Sequence, residues 1–122
     1  MKTKFTRGPW EIKPEECGKN YIRVRGTVLG GKFKVANVMC GDKPMDWEIQ
    51  ETRGNAHLIA AAPDGFAIAE AAYIAMLKMP HDVMWRTFNQ HIYAGLRDYI
   101  AKATNQDAES VQNYYEQLAR ES

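Results

Sequence analysis

Arg86, Gln90, Tyr93 and Arg97 follow one another at spacings of four, three and four, so on an α-helix they share one face. Two guanidinium forks, an amide and a phenol would then point the same way. Guanidinium groups hold phosphate or carboxylate through paired N–H donors, and a phenol ring offers a face on which a base stacks. The four residues therefore fit a nucleotide-like anion, and they equally fit a helix face that simply meets water. A second concentration of charge is Arg23, Arg25, Lys32 and Lys34. If the two stretches that carry them pair as strands, the four cations gather on one face, where they would bind phosphate groups or nucleic acid. The bland alternative is the solvated outer face of a half-buried sheet.

Catalytic signatures are missing from the sequence. It contains no Walker loop, no Gly-rich turn between a strand and a helix, no His-Glu-x-x-His and no Gly-x-Ser-x-Gly. Serine occurs only at Ser110 and Ser122. Cys17 and Cys40 bear no zinc-type spacing to His57, His81 or His91, so reduced thiols are expected, with no metal and no cofactor. A small hydrolase would need Cys40 or His57 at its centre, and nothing in their spacing demands one. The expectation is a protein that is not an enzyme.

The elements that would position these residues follow from periodicity. Trp10-Glu-Ile-Lys13 alternates, with Trp10 and Ile12 expected inward, and Tyr21 to Leu29 places Ile22, Val24 and Val28 on one face and Arg23, Arg25 and Thr27 on the other. Gly30-Gly31 reads as a two-residue hairpin turn, since both central residues of a type I′ turn need positive φ. That register puts Val28 opposite Phe33, Gly26 opposite Val35 and Lys34 opposite Thr27. Residues 46–50 read either as a short strand or as the approach to a helix, and Trp47 as core or as a lid over it. In Asn55 to Asp64 one helical turn ends and another begins, with Pro63 in the first turn of the new helix, where its missing N–H costs nothing.

From Gly65 to Lys78 the chain is apolar on every side, interrupted only by Glu70. Phe66, Ala69, Tyr73, Met76 and Leu77 form one stripe, and Ala67, Ala71, Ile74 and Ala75 another. A helix apolar all round must be covered all round, which points to central burial or to a homo-oligomer face. After Met79-Pro80, Trp85, Phe88, Ile92, Leu96, Tyr99 and Ala103 give an amphipathic third helix. A last helix starts at Thr104 or Asp107, with Ala108, Val111, Tyr115 and Leu118 inward. The class is α+β: a small N-terminal antiparallel sheet of three to four strands packed against three to four C-terminal helices. The 122 residues suit one domain, with residues 1–50 β-rich and 51–122 helical. Residues 1–45 carry ten bases and four acids, and residues 46–122 six bases and eleven acids. Neither a charged leader nor an apolar run of about 20 residues occurs, so no membrane partner is expected and the place is the cytoplasm.

Gly8-Pro9-Trp10 near the start and Gly54-Asn-Ala-His-Leu-Ile-Ala-Ala-Ala-Pro-Asp64 resemble the small bacteriophage and prophage proteins that open on Gly-Pro-Trp and carry an Asn-Ala-x-Leu-Ile-Ala-Ala-Ala-Pro-Asp segment. Those proteins usually continue with Leu-Leu-Glu-Ala-Leu, where this chain has Gly65-Phe-Ala-Ile-Ala. The resemblance implies a phage accessory protein acting in the host cell. It implies no established biochemistry; small phage accessory proteins commonly counter host defences by binding without turnover, either a host defence protein or a cyclic nucleotide signal, and nucleic acid held by the basic strands is the competing partner.

Overall fold

Alternation in β2 (Tyr21–Gly26) organises the sheet. Ile22 and Val24 are buried while Arg23 and Arg25 turn outward, the period-two pattern of a strand with one face on a core. The computed structural model describes residues 3–27, 30, 33–83 and 90–121, with Gln90 described in its backbone only. These residues form two compact units, Thr6–Gly65 and Phe66–Ser122 with Met1–Phe5.

In the first unit β1 (Trp10–Ile12), β2 and β3 (Phe33–Met39) make an antiparallel sheet in that order. Trp10 and Ile12 pack inward on Ile22, Val24 and Ala56, as the alternation requires. The β2/β3 pairing differs from the expected hairpin. Gly26 faces Phe33 instead of Val35, and Lys34 faces Arg25 instead of Thr27. The cause is a bulge: Val24 opposes Ala36 while the next residue, Arg25, opposes Lys34, so Val35 has no partner of its own. Val35 and Ala36 both pack on the core as a result. Gly30 takes φ 72° in the connection; Val28, Gly31 and Lys32 lie outside the described residues.

Residues 46–50 are helical. They open α1 (Asp46–Ala60), whose first turn carries Asp46 and Glu48 and whose last carries His57, the polarity a helix dipole favours. Helix thus begins before residue 51, and α1 lies in the same unit as the sheet. Thr52 and Ala56 are its buried residues, and the Thr52 hydroxyl donates to the Glu48 carbonyl at 2.8 Å. Trp47 is neither core nor lid: it is 64% exposed, because the inward face of α1 passes through Thr52 and Ala56 and leaves position 47 outside. Ala61 ends α1, and its carbonyl accepts from Gly65 N–H at 3.0 Å to start α2 (Ala62–Lys78). Pro63 is the second residue of α2, as its chemistry dictates.

The Thr6–Trp10 segment is held to this frame. The Trp10 indole donates to the Thr6 carbonyl at 2.9 Å, and Thr27 donates to the Pro9 carbonyl through its hydroxyl at 2.8 Å and its N–H at 3.1 Å. Gly8 passes so close to Pro63 that a Cβ on it would stand 2.6 Å from the proline Cβ.

The second unit is helical. Phe66, Ala69, Tyr73 and Met76 are the buried stripe of α2, while Ala67, Ala71 and Ala75 are exposed and Ile68 is 70% exposed. Asn105, at φ 55°, closes α3 (Gln90–Thr104), and the Gln106 N–H donates back to the Ala101 carbonyl at 2.9 Å. Asp107 caps α4 (Ala108–Glu121): one carboxylate oxygen accepts from Ser110 N–H at 2.8 Å and the other from its hydroxyl at 2.9 Å. The core joins Phe66, Tyr73, Ile100, Ala101, Val111 and Tyr115. Ile92, Tyr99 and Ala103, expected inward, are exposed, and Ile100 and Ala101 take the core positions. Trp85 and Phe88 lie outside the described residues.

The close approach at Gly8 sets a pair of opposite expectations. Gly8→Ala forces a methyl group into a proline ring and should lower stability by about 1–3 kcal/mol. Gly54→Ala, in an exposed turn of α1 with nothing within 4 Å, should raise it by about 0.5–1 kcal/mol. Urea denaturation followed by far-UV circular dichroism checks both signs.

Candidate functional site

The basic strand face is largely engaged with its own chain. Arg23 donates to the Pro14 carbonyl at 3.2 Å and pairs with Glu16 at 3.0 Å. Arg25 donates to the carbonyls of Val24 and Ala36 at 2.9 and 3.0 Å and to the Asn37 side chain at 3.1 Å. These bonds satisfy the carbonyls beside the bulge, so Arg25 stabilises the hairpin irregularity as much as it displays charge. Lys34 is exposed opposite Arg25. Lys32 lies outside the described residues.

Of the helical quartet, Tyr93 and Arg97 are described, whereas Arg86 and the Gln90 side chain are not. Tyr93 and Arg97 do not stand on a purely solvated face. Both are half-buried, because α3 turns Ile100 and Ala101 to the core and so carries position 93 inward with them. The Tyr93 ring packs on Tyr73 at 5.4 Å between centroids, and the two hydroxyls are 3.5 Å apart. The Arg97 guanidinium reaches the neighbouring Asp98 at 3.1 Å. Burial, then the Tyr93 hydroxyl, push the Tyr73 phenol far above its ordinary value, against a smaller opposing pull from Arg97. Tyr115 is raised in the same way, first by burial and then by the Glu70 carboxylate to which its hydroxyl donates.

A cavity of about 640 Å³ opens within this helical unit. Its polar wall is Lys78, His81, Tyr93, Gln112, Glu116 and Arg120, and Met76, Leu77 and Met79 give it an apolar side. Gln112 donates its amide to Glu116 at 2.9 Å and fixes the carboxylate. No hydrogen bond or ion pair engages Lys78 or Arg120 among the described residues, unlike Arg23, Arg25 and Arg97. A cavity of this size, apolar on one side with a few polar groups converging from the other, is the form small-molecule sites take. Sequence reasoning found Tyr93 and missed Lys78, Gln112, Glu116 and Arg120, which lie on other helices. The i, i+4 spacings of Gln112, Glu116 and Arg120 along α4 were the available signal.

The sheet unit has its own, smaller cavities. One of about 350 Å³ is lined by Glu15, Tyr21, Cys40, Asp42 and Arg53, with Arg53 already tied to Glu15 at 3.1 Å. His57 lines a different one. Cys17 and Cys40 are free thiols.

Residues 1–107 match the family model described as Salmonella phage P22 protein Y8K6. The chain belongs to that phage protein family. No curated protein and no solved structure matches it. The matched stretch takes in both units as far as the Asp107 cap, so the wall that α4 gives the cavity falls beyond it. No single helix among the described residues is long and apolar enough to cross a membrane, and no described group of His, Cys, Asp and Glu is arranged to hold a metal ion.

The two raised phenols carry a pH consequence. A phenol whose folded pKa exceeds its unfolded value stabilises the fold fully below the unfolded value of about 10 and loses that contribution as pH rises beyond it. Urea midpoints of the whole protein should stay level on this account up to about pH 9.5 and fall above it. Tyr73→Phe should flatten the fall. A slope unchanged by that substitution would show that Tyr73 does not report the burial described here.

Proposed function

We propose that this phage protein is a non-enzymatic accessory protein that counters host defence by binding and holding a nucleotide immune signal. The observation that carries the reading is the helical cavity, where two uncommitted cations, Lys78 and Arg120, share a wall with the Tyr93 ring. Phosphate needs the cations and a base needs an aromatic or apolar face. A sequestering protein has to bind and need do nothing else, which agrees with a sequence that lacks catalytic signatures. Cys40 and His57, the residues a hydrolase would centre on, line separate cavities.

The same reading includes self-association. The outer face of α2 presents Ala67, Ile68, Ala71 and Ala75 to solvent, and small side chains let a second helix approach closely. A host effector as the bound target, or nucleic acid held through Arg23, Arg25 and Lys34, are the readings it competes with. Because the guanidinium groups of Arg23 and Arg25 are committed to carbonyl and carboxylate oxygens, the helical cavity is preferred.

Two measurements test the proposal. Protein incubated with cyclic dinucleotides, cyclic trinucleotides and cyclic ADP-ribose isomers, then desalted and heated, should release one of these intact; release of none removes the signal reading and leaves an effector as the target. Light scattering after size exclusion should give a multiple of 13.9 kDa, and Ile68→Glu should return the mass to that of one chain. A wild-type monomer would refute self-association through α2.

A further inference from the structure

The walls of the helical cavity are polarised along α4. Gln112, Glu116 and Arg120 are spaced by four, so they stand in one row about 12 Å long at 1.5 Å per residue, with acceptors at one end and a cation at the other. Lys78, in the last turn of α2, joins Arg120 at the cationic end of the described lining, and Arg120 is in the last turn of α4. Cations in last turns complement helix dipoles wherever they occur; here they also line a cavity and have no hydrogen-bond or ion-pair partner among the described residues. At the other end the Gln112 amide is spent on one oxygen of Glu116. What remains toward a ligand is the second carboxylate oxygen of Glu116 and the carbonyl oxygen of Gln112, both acceptors.

A ligand in this cavity must therefore be anionic at one end and rich in donors at the other, with a flat or apolar body against Tyr93 and the methionines. We infer that the ligand is a guanine nucleotide, its phosphate toward Lys78 and Arg120 and its base edge toward Glu116 and Gln112. Guanine presents N1–H and a 2-amino group side by side, two donors that the free oxygen of Glu116 and the carbonyl oxygen of Gln112 can accept together. Adenine presents the lone pair of N1 at the same place, and a carboxylate facing a lone pair is repulsive as well as unbonded. Glu116, midway along the row, also repels the phosphate toward Arg120 and away from Gln112, which fixes the direction of the ligand in the cavity. This inference rests on the nucleotide reading above and adds the base that it selects.

Isothermal titration of the full chain with guanosine 5′-monophosphate and adenosine 5′-monophosphate separates the two levels. The guanine nucleotide should bind at least about tenfold more tightly, the discrimination that one well-formed pair of hydrogen bonds to a base edge supplies. Glu116→Gln, which keeps the size of the side chain, should bring the two affinities together, and Lys78→Ala should weaken both alike. Inosine 5′-monophosphate on the unaltered protein, which lacks the 2-amino group, should fall between them and needs no variant to fold. Equal affinities for the guanine and adenine nucleotides would overturn the inference and leave the nucleotide reading standing. A guanine preference that survives Glu116→Gln would overturn the role given to that residue. Binding of neither nucleotide would overturn the guanine inference, and the heat-release experiment with cyclic nucleotides decides the nucleotide reading by itself.

Discussion

An apolar helix with one carboxylate in it must bring that carboxylate a donor, and in the helical unit the donor is the hydroxyl of Tyr115. Glu70 is the single charged residue between Asp64 and Lys78, and unsatisfied it would cost several times what an ordinary hydrogen bond contributes. Its bond to Tyr115 ties α2 to α4 at one register. The same tyrosine packs edge-on against Tyr73 at 5.7 Å, and Tyr73 against Tyr93 on α3. Three helices are thus locked through one chain of phenols. Lys78, Tyr93 and Arg120 come to share a cavity because this lock sets where the ends of α2 and α4 lie.

Charge is used differently in the two units. In the sheet unit the guanidinium groups of Arg23, Arg25 and Arg53 are turned onto carbonyl and carboxylate oxygens, so most of their attraction is spent on the fold. A bulged edge strand with Lys34 on it also resists pairing with another sheet. In the helical unit two cations stay uncommitted where a cavity is present. The basic N-terminal portion of the sequence therefore overstates the charge on offer to a partner, while the acidic C-terminal portion still leaves Lys78 and Arg120 uncommitted beside a cavity.

Much of the fold was legible because it rests on local rules. Ile22 and Val24 alternate with Arg23 and Arg25, Pro63 within a helix is tolerated only in the first turn, and Asp107 with Ser110 forms a cap whose spacing is visible in the chain. The bulge at Val35 was not legible, since a stretch with valine at 35 and 38 and alanine at 36 offers apolar side chains to either register. The start of α1 was obscured by Trp47 and Ile49, which alternate like a strand, and by Gly54, which weakens the helical signal. In α3 the large residues Ile92 and Tyr99 suggested the inner face, whereas the smaller pair Ile100 and Ala101 packs more closely. That rotation moved Tyr93 from the expected solvent face to a cavity wall. The rest of the site comes from α2 and α4, and no spacing within one helix predicts which residues of another will face it.

On the proposed function, ligand binding belongs to the helical cavity and not to the basic strands. Amide chemical-shift mapping of the labelled protein during addition of guanosine 5′-monophosphate tests it most directly. The largest changes should fall at Lys78, Tyr93, Gln112, Glu116 and Arg120 while Arg23, Arg25 and Lys34 stay still. Changes centred on Arg23, Arg25 and Lys34 with the helical residues unmoved would contradict it.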